Sequence, residues 1–360
     1  MRTAKGSENR QGRREPSKTM RIVKNNEDSA CMEIGDMVEY EQETFRFYYK
    51  VNRFVDGYPH FYCQYSTSGS VTQADFLKFW REDMGIKLIA SDLDGTLLTD
   101  QKTLSPETKR ALDLAVRRGV YLVPATGRSF KAVPDMIKEL PGVEYIITAN
   151  GGALYSVSSG KRIYQCLLEA ASVEKALEAE RSEKTVLEIF IDGVPYSEEA
   201  YVRAPMDYGA TEYGAEYVRR TRIPVKDIVS FALKHKSELD SMAFVCGEEE
   251  ERERLRSYLE NQVPEIYVTS SVPHLLEIGH KNAGKGNTLL YLLKKLGIAR
   301  EEAMAFGDAD NDSSMLAAVK YGAAMENGSP ACKKAAAFLT GSNQEDGVAQ
   351  AVFRFLEQEG

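Results

Sequence analysis

Asp92 and Asp94 stand two residues apart where the apolar run "IKLIAS" (Ile86 to Ser91) gives way to Gly95 and Thr96. In an extended chain two such carboxylates point the same way. A turn at Gly95 instead lets one side chain and one backbone carbonyl meet a single cation. Carboxylates at the end of a buried strand are costly unless a metal or hydrogen-bond donors compensate them. A second acidic cluster, Gly307-Asp308-Ala309-Asp310-Asn311-Asp312, follows the apolar run "EAMAF". Its alternation suggests an EF-hand, but the sixth position is Ser313 instead of Gly and the twelfth is Val319 instead of Glu, so the calcium loop fails. Oxygen ligands from two separate strand ends suit Mg²⁺, which keeps waters and binds through one or two carboxylates plus substrate phosphate. Either aspartate of the first pair, taken alone, reads equally as part of a solvated loop.

Two further stretches offer donors to an anion. Gly279-x-x-x-x-Gly284-Lys285-Gly286 falls one residue short of a P-loop, because Gly286 takes the place of the Ser or Thr that ligates a nucleotide's Mg²⁺. Lys285 also opens a helix, whose N-terminus favours an anion. Thr126-Gly127-Arg128 follows "VYLVPA" and gives a hydroxyl and approachable backbone N–H groups. Singly, a Thr-Gly pair is more often a turn and a lysine more often surface.

These residues need a scaffold that brings strand ends together. From Met84 onward, short apolar runs alternate with amphipathic helical patterns, the signature of a parallel sheet flanked by helices. Ser105-Pro106-Glu107 opens a helix with a capping hydroxyl and a first-turn proline, and Gly119 closes it. In open α/β sheets ligands bind at the carboxyl ends of the strands, where each of these clusters falls. The rhythm changes between about Leu168 and Gly279, which reads as a separate α/β domain inserted into the first; the charged run Glu248 to Arg256 there reads as a solvated helix face. The expected division is 1–35 a disordered basic arm, 36–83 a small β-rich extension, 84–167 and 280–360 the two parts of a core, and 168–279 the insertion. An upstream start, with Met84 beginning the functional unit, is an alternative account of the first 83 residues.

The bulk composition excludes several classes. With 43% hydrophobic residues over 360 positions, the chain suits a globular protein of two domains or more. Its net charge of −8 argues against general nucleic-acid binding, although the basic arm and aromatic-rich extension leave RNA or single-stranded DNA as a minor alternative. No apolar run approaches a membrane span and the N-terminus lacks a signal-peptide core, so a cytoplasmic protein is expected. The five cysteines form no C-x-x-C pair, and the four histidines show no ligand spacing, so any metal must be held by oxygens.

Asp92-Leu93-Asp94-Gly95-Thr96, then Thr126, then Lys285, then Gly307-Asp308 with Asn311-Asp312 occur in the order of the four motifs of the haloacid dehalogenase superfamily of phosphotransferases, which this chain resembles from about Met84 onward. "TANGG" and "TGSNQEDGVAQAV" further resemble its Cof-type branch, in which a large α/β cap lies between the second and third motifs. The resemblance implies a Rossmann-like doubly wound core with the cap at 168–279. It implies a Mg²⁺-dependent phosphatase of small phosphate esters, such as sugar phosphates or phosphorylated cofactors, that works through an aspartyl-phosphate as a monomer or homodimer. Asp92 would be the nucleophile and Asp94 the acid and base. Asp92, the Asp94 carbonyl and Asp308 would hold Mg²⁺, while Thr126, Gly127, Lys285 and Asn311 would contact phosphate or substrate. Asp312 would orient Lys285 or metal-bound water. The nearest rival is a phosphomutase of sugar phosphates, and a regulatory or binding protein using the N-terminal module is the reading from another class. Arg203, Asp207 and Tyr208, in "YVRAPMDYG", are polar candidates for cap specificity that read more readily as loop surface.

Overall fold

The computed structural model describes residues 19–23, 37–42, 45–55, 58–66, 85–271 and 274–356. The chain divides into two units, 1–83 and 84–360. In the first, strands Thr19–Val23, Met37–Gln42, Phe45–Val55 and Tyr58–Ser66 form an antiparallel sheet in chain order. Thr19–Val23 lies inside the stretch expected to be a disordered arm, and there the expectation is corrected. Its β-branched Thr19, Ile22 and Val23 suit a strand once Met37–Gln42 offers an edge to pair with. The rest of 1–35 and 67–83 lie outside the described residues.

The second unit is built on a five-stranded parallel sheet. Its order is Phe338–Thr340, Tyr321–Met325, Ala303–Gly307, Leu88–Ser91 and Tyr121–Pro124. Alternation along Leu88–Ser91 sends Ile89 into one core with Leu112 and Val352, and Leu88 and Ala90 into another with Leu289, Leu292 and Met315. Helices therefore cover both faces: Pro106–Arg117 and Gly347–Leu356 on one side, Lys285–Leu296 and Ser313–Ala318 on the other. The Pro106–Arg117 helix starts as expected, with Ser105 Oγ accepting from the Thr108 N–H. Beyond Pro124, isolated bridges Leu122↔Val143 and Ala125↔Ile147 bring strand Tyr145–Thr148 alongside. That strand begins a small antiparallel sheet with Ala153–Ser156 and Arg162–Gln165.

The inserted segment carries its own six-stranded sheet, in the order Ile223–Val225, Val194–Glu198, Val186–Ile191, Leu239–Val245, Leu275–His280, Ile266–Thr269. On one face Leu187, Ile189, Met242, Phe244, Leu276 and Ile278 form a core with the helices Ala170–Leu177, Ile228–Lys234 and Glu249–Gln262. The charged run lies on the last of these, which buries only Leu255 and Leu259. By the period of two, Glu188, Phe190, Leu275 and Glu277 project from the opposite face, and they line the cleft that holds Asp92. The described cysteines Cys166, Cys246 and Cys332 are all free.

Candidate active site

Asp92 is placed by its neighbour strand. Its N–H donates to the Phe306 carbonyl at 3.0 Å, continuing the pairing of Leu88–Ser91 with Ala303–Gly307 one residue past the sheet. Asp308 leaves the end of that neighbouring strand, so the two acidic clusters meet: carboxylate oxygens of Asp92, Asp308 and Asp312 lie within 4.8 Å of one another. The glycines make room for them. Gly95 has φ +86°, and a Cβ on it would stand 2.5 Å from Asp308 Oδ2, while Thr96 Oγ1 donates to Asp308 Oδ1 at 2.6 Å.

Lys285 begins its helix fully buried and donates from Nζ to Asp92 Oδ1 at 2.5 Å and Asp312 Oδ1 at 2.6 Å. The residue after it has no space for a hydroxyl-bearing side chain, since a Cβ on Gly286 would meet the Ser314 carbonyl oxygen at 2.3 Å. The departure from a P-loop is thus a packing requirement of two adjoining helices. Asp312 has both oxygens engaged, because Oδ2 accepts from the N–H groups of Asp308 and Ala309, each at 3.0 Å.

Burial raises the Asp92 carboxyl well above the usual range, against the opposing pull of Lys285 and with help from Asp312 and Asp308. Asp308 is raised too, again first by burial and then by Asp312. Two crowded carboxylates of which only one contacts the lysine form a donor set that a divalent cation would complete, and all-oxygen ligands match Mg²⁺. Lys285 itself is pushed up, because Asp312 and Asp92 together outweigh its desolvation.

Asp94 faces elsewhere. Arg128 grips it with Nε to Oδ2 at 2.7 Å and Nη2 to Oδ1 at 2.8 Å, and Lys102 Nζ lies 2.9 Å from Oδ1. Burial alone would raise the Asp94 carboxyl; Arg128, then Lys102, overcome it and bring it down to about 2. Thr126 is buried and its Oγ1 accepts from the Arg128 N–H at 3.1 Å. Gly127 leaves room for the Glu277 and Asn150 side chains, since a Cβ there would stand 2.7 Å from Glu277 Oε1 and 2.9 Å from Asn150 Oδ1.

Asp92, Asp94, Thr126, Gly127 and Asn311 line a single cavity of about 210 Å³. Lys285, Asp308 and Asp312 are not on its wall, and Lys285 reaches it through Asp92. Two buried atoms on the wall, Ser129 Oγ and Asn311 Oδ1, have no hydrogen-bond partner among the described residues.

Sequence reasoning did not single out Arg128, Asn150, Glu188, Tyr217, Arg222 and Glu277 as site residues. Some signal existed: Glu188 and Glu277 are lone carboxylates inside apolar strands, "VLEIFI" and "LLEIGH", and a buried carboxylate needs a partner. The polar candidates in "YVRAPMDYG" do not line this cavity; Arg203 is exposed and paired with Glu199, Asp207 is exposed, and Tyr208 borders a neighbouring cavity.

A family model of haloacid dehalogenase-like hydrolases matches residues 89–352, more than half of the chain. The chain belongs to this family. A 5-amino-6-(5-phospho-D-ribitylamino)uracil phosphatase of Bacillus subtilis is 28% identical over 272 residues, covering 76% of this chain and 96% of the relative. The HMP-PP phosphatase of Klebsiella pneumoniae is 28% identical over 248 residues, 69% of this chain and 86% of that one. Among solved structures, a haloacid dehalogenase-like hydrolase from B. subtilis superposes with a TM-score of 0.63 at 27% identity, covering 74% of this chain and 98% of its own. Family membership thus joins the parallel sheet, the inserted α/β domain and the strand-end carboxylates in one hydrolase fold. Among the described residues no helix is long and apolar enough to cross a membrane.

Proposed function

We propose that the chain is a Mg²⁺-dependent phosphatase that hydrolyses monoesters of small phosphorylated metabolites, such as sugar phosphates or phosphorylated cofactors, through an aspartyl-phosphate on Asp92. The observation that carries this reading is the buried Lys285–Asp92 contact beneath a cavity that also exposes Thr126 and Gly127. A lysine fixed on a carboxylate nucleophile holds it in place and meets the charge of an incoming phosphoryl group. The names of the two curated relatives support the substrate class.

Asp92, Asp308 and the Asp94 carbonyl would hold Mg²⁺, which supplies charge neutralisation for the phosphoryl oxygens. In the first half-reaction an Asp92 oxygen bonds to phosphorus as the ester P–O bond breaks, and the departing oxygen takes a proton from Asp94. In the second, water attacks the same phosphorus and gives a proton back to Asp94, the bond to Asp92 breaks, and inorganic phosphate leaves. The ionised form of Asp94, which its contacts with Arg128 and Lys102 favour, is the one that receives that proton. The negative phosphoryl group of a bound substrate raises its proton affinity for the first half.

Asp92→Asn should abolish release of 4-nitrophenol from its phosphate ester while the circular-dichroism spectrum stays unchanged. Turnover that survives this substitution overturns the reading.

A further inference from the structure

A run of contacts leads from Asp94 out of the core and into the inserted domain. Arg128, which holds both Asp94 oxygens, has its guanidinium carbon 5.0 Å from the centroid of the Tyr217 ring. Arg222 stands over the same ring at 4.8 Å. Arg222 is in turn fixed by two hydrogen bonds of 2.8 Å to Glu188, whose side chain is 1% exposed, and by a third to Thr221 Oγ1 at 2.9 Å. Thr221 Oγ1 closes the set by donating to the Tyr217 carbonyl at 2.6 Å. Tyr217 is therefore held at its backbone and at its ring by the inserted domain, and it presents that ring to a core arginine.

Such an arrangement has a cost that needs a reason. Glu188 and Arg222 are desolvated together, and a buried pair of this kind adds little net stability over apolar residues. Its evident effect is to keep Tyr217 where Arg128 can rest on it, a cation–π contact that gains strength in a half-closed cleft. Among the described residues, the Arg128 guanidinium has, besides Asp94 and the Tyr217 ring, one long 3.4 Å contact to the Ala132 carbonyl.

We infer that Tyr217 is a positioning residue for proton transfer, acting through Arg128 to set the Asp94 carboxyl in the cleft when the inserted domain is seated on the core. The inference rests on the phosphatase reading above. A protonated Asp94 keeps one oxygen to accept from Arg128 while the other carries the proton, so one of the two contacts that orient the carboxylate still directs the acid toward the leaving oxygen. Tyr217 and Arg222 line the cavity alongside Arg128 and Asp94, so seating the inserted domain and placing the acid become one event.

The test is a series of substituted phenyl phosphates of equal shape, with leaving-group acidity spanning phenol to 4-nitrophenol, measured on the full chain with Mg²⁺. The parameter kcat/KM reports only steps up to release of the phenol. In Tyr217→Leu, kcat/KM for phenyl phosphate should fall about 10-fold or more, while 4-nitrophenyl phosphate, whose leaving group needs no proton, should stay within about 3-fold, general acid catalysis being worth about 10²-fold and upward. Dependence on leaving-group acidity should thus steepen. Tyr217→Phe, which keeps the ring, should retain the wild-type slope. Arg128→Lys, which loses the planar two-point grip, should steepen it, and adding Tyr217→Leu to Arg128→Lys should change little more. A parallel fall across the series, a shallower slope, or a Phe variant that behaves like Leu overturns the inference. None of those outcomes touches the phosphatase reading, which stands or falls with Asp92→Asn.

Discussion

Lys285 Nζ lies 2.5 Å from Asp92 Oδ1, and no part of the lysine reaches solvent. The same ammonium holds Asp312, so it is the counter-charge that lets two carboxylates sit in the interior. Lys285→Met keeps the volume and removes the charge. The variant should lose about 3–5 kcal/mol in urea unfolding, the usual consequence of leaving a buried partner uncompensated. Its turnover should fall by about 10²-fold or more, because the fixed positive charge that holds Asp92 beneath the cavity is gone.

Asp308 gives the metal its own test. Chelation should abolish turnover and added Mg²⁺ should restore it. Because a ligand that binds only the folded state stabilises it by about 2.7 kcal/mol at a hundred times its Kd, Mg²⁺ should raise the melting temperature of the wild type. Asp308→Asn should remove most of that rise and leave the fold in place. Gly95→Ala should act the same way from the opposite side, since its methyl would press on Asp308 Oδ2 from a backbone at φ +86°.

Asp240 predicts how stability depends on pH. It is the second residue of the strand Leu239–Val245 of the inserted domain and accepts from Arg162 Nη1 at 2.5 Å and the Gly193 N–H at 2.9 Å. Burial nonetheless prevails over those contacts and lifts its carboxyl from 3.8 to about 6. The folded state thus holds this proton more tightly than the unfolded one. The contribution is complete below about pH 3.8 and is lost as pH rises through about 6. A difference of that size is worth about 3 kcal/mol. Asp240→Asn should therefore show a flatter dependence than the wild type when urea unfolding is compared between about pH 4 and pH 7.

The core was legible because its strands and its chemistry coincide in the sequence. Asp92, Thr126, Lys285 and Asp308 each follow or open an element within a few residues, so reading the elements also located the site. The inserted domain behaves differently. Glu188 and Glu277 belong to strands whose pattern declares only that they are buried, and their partners Arg222 and Asn150 are 34 and 127 residues away. Tyr217 is one of nineteen tyrosines, marked by nothing local. Such residues acquire meaning only when two domains face each other, so the polar loop near Arg203 is locally more conspicuous than the strand faces that line the cavity.

Glu277 sets the chemistry of a residue it never touches. As a carboxylate it can only accept, so the Asn150 amide must turn its Nδ2 toward Glu277 Oε1, at 2.8 Å. That leaves Asn150 Oδ1 to accept from Asn311 Nδ2 at 2.9 Å, and so Asn311 presents its unpartnered Oδ1 to the cavity. A substrate or a water beside Asn311 must then donate. Glu277→Gln can reverse the relay: its Nε2 donates to Asn150, Asn150 donates to Asn311, and Asn311 now offers an N–H. For esters that carry an ammonium near the phosphate, which can only donate, KM should rise about 5-fold or more, the roughly 1–3 kcal/mol of a mismatched buried pair. Esters without such a group should keep their KM. Steady-state kinetics on ethanolamine phosphate and ethyl phosphate would show the difference, and equal changes on both would rule out the relay.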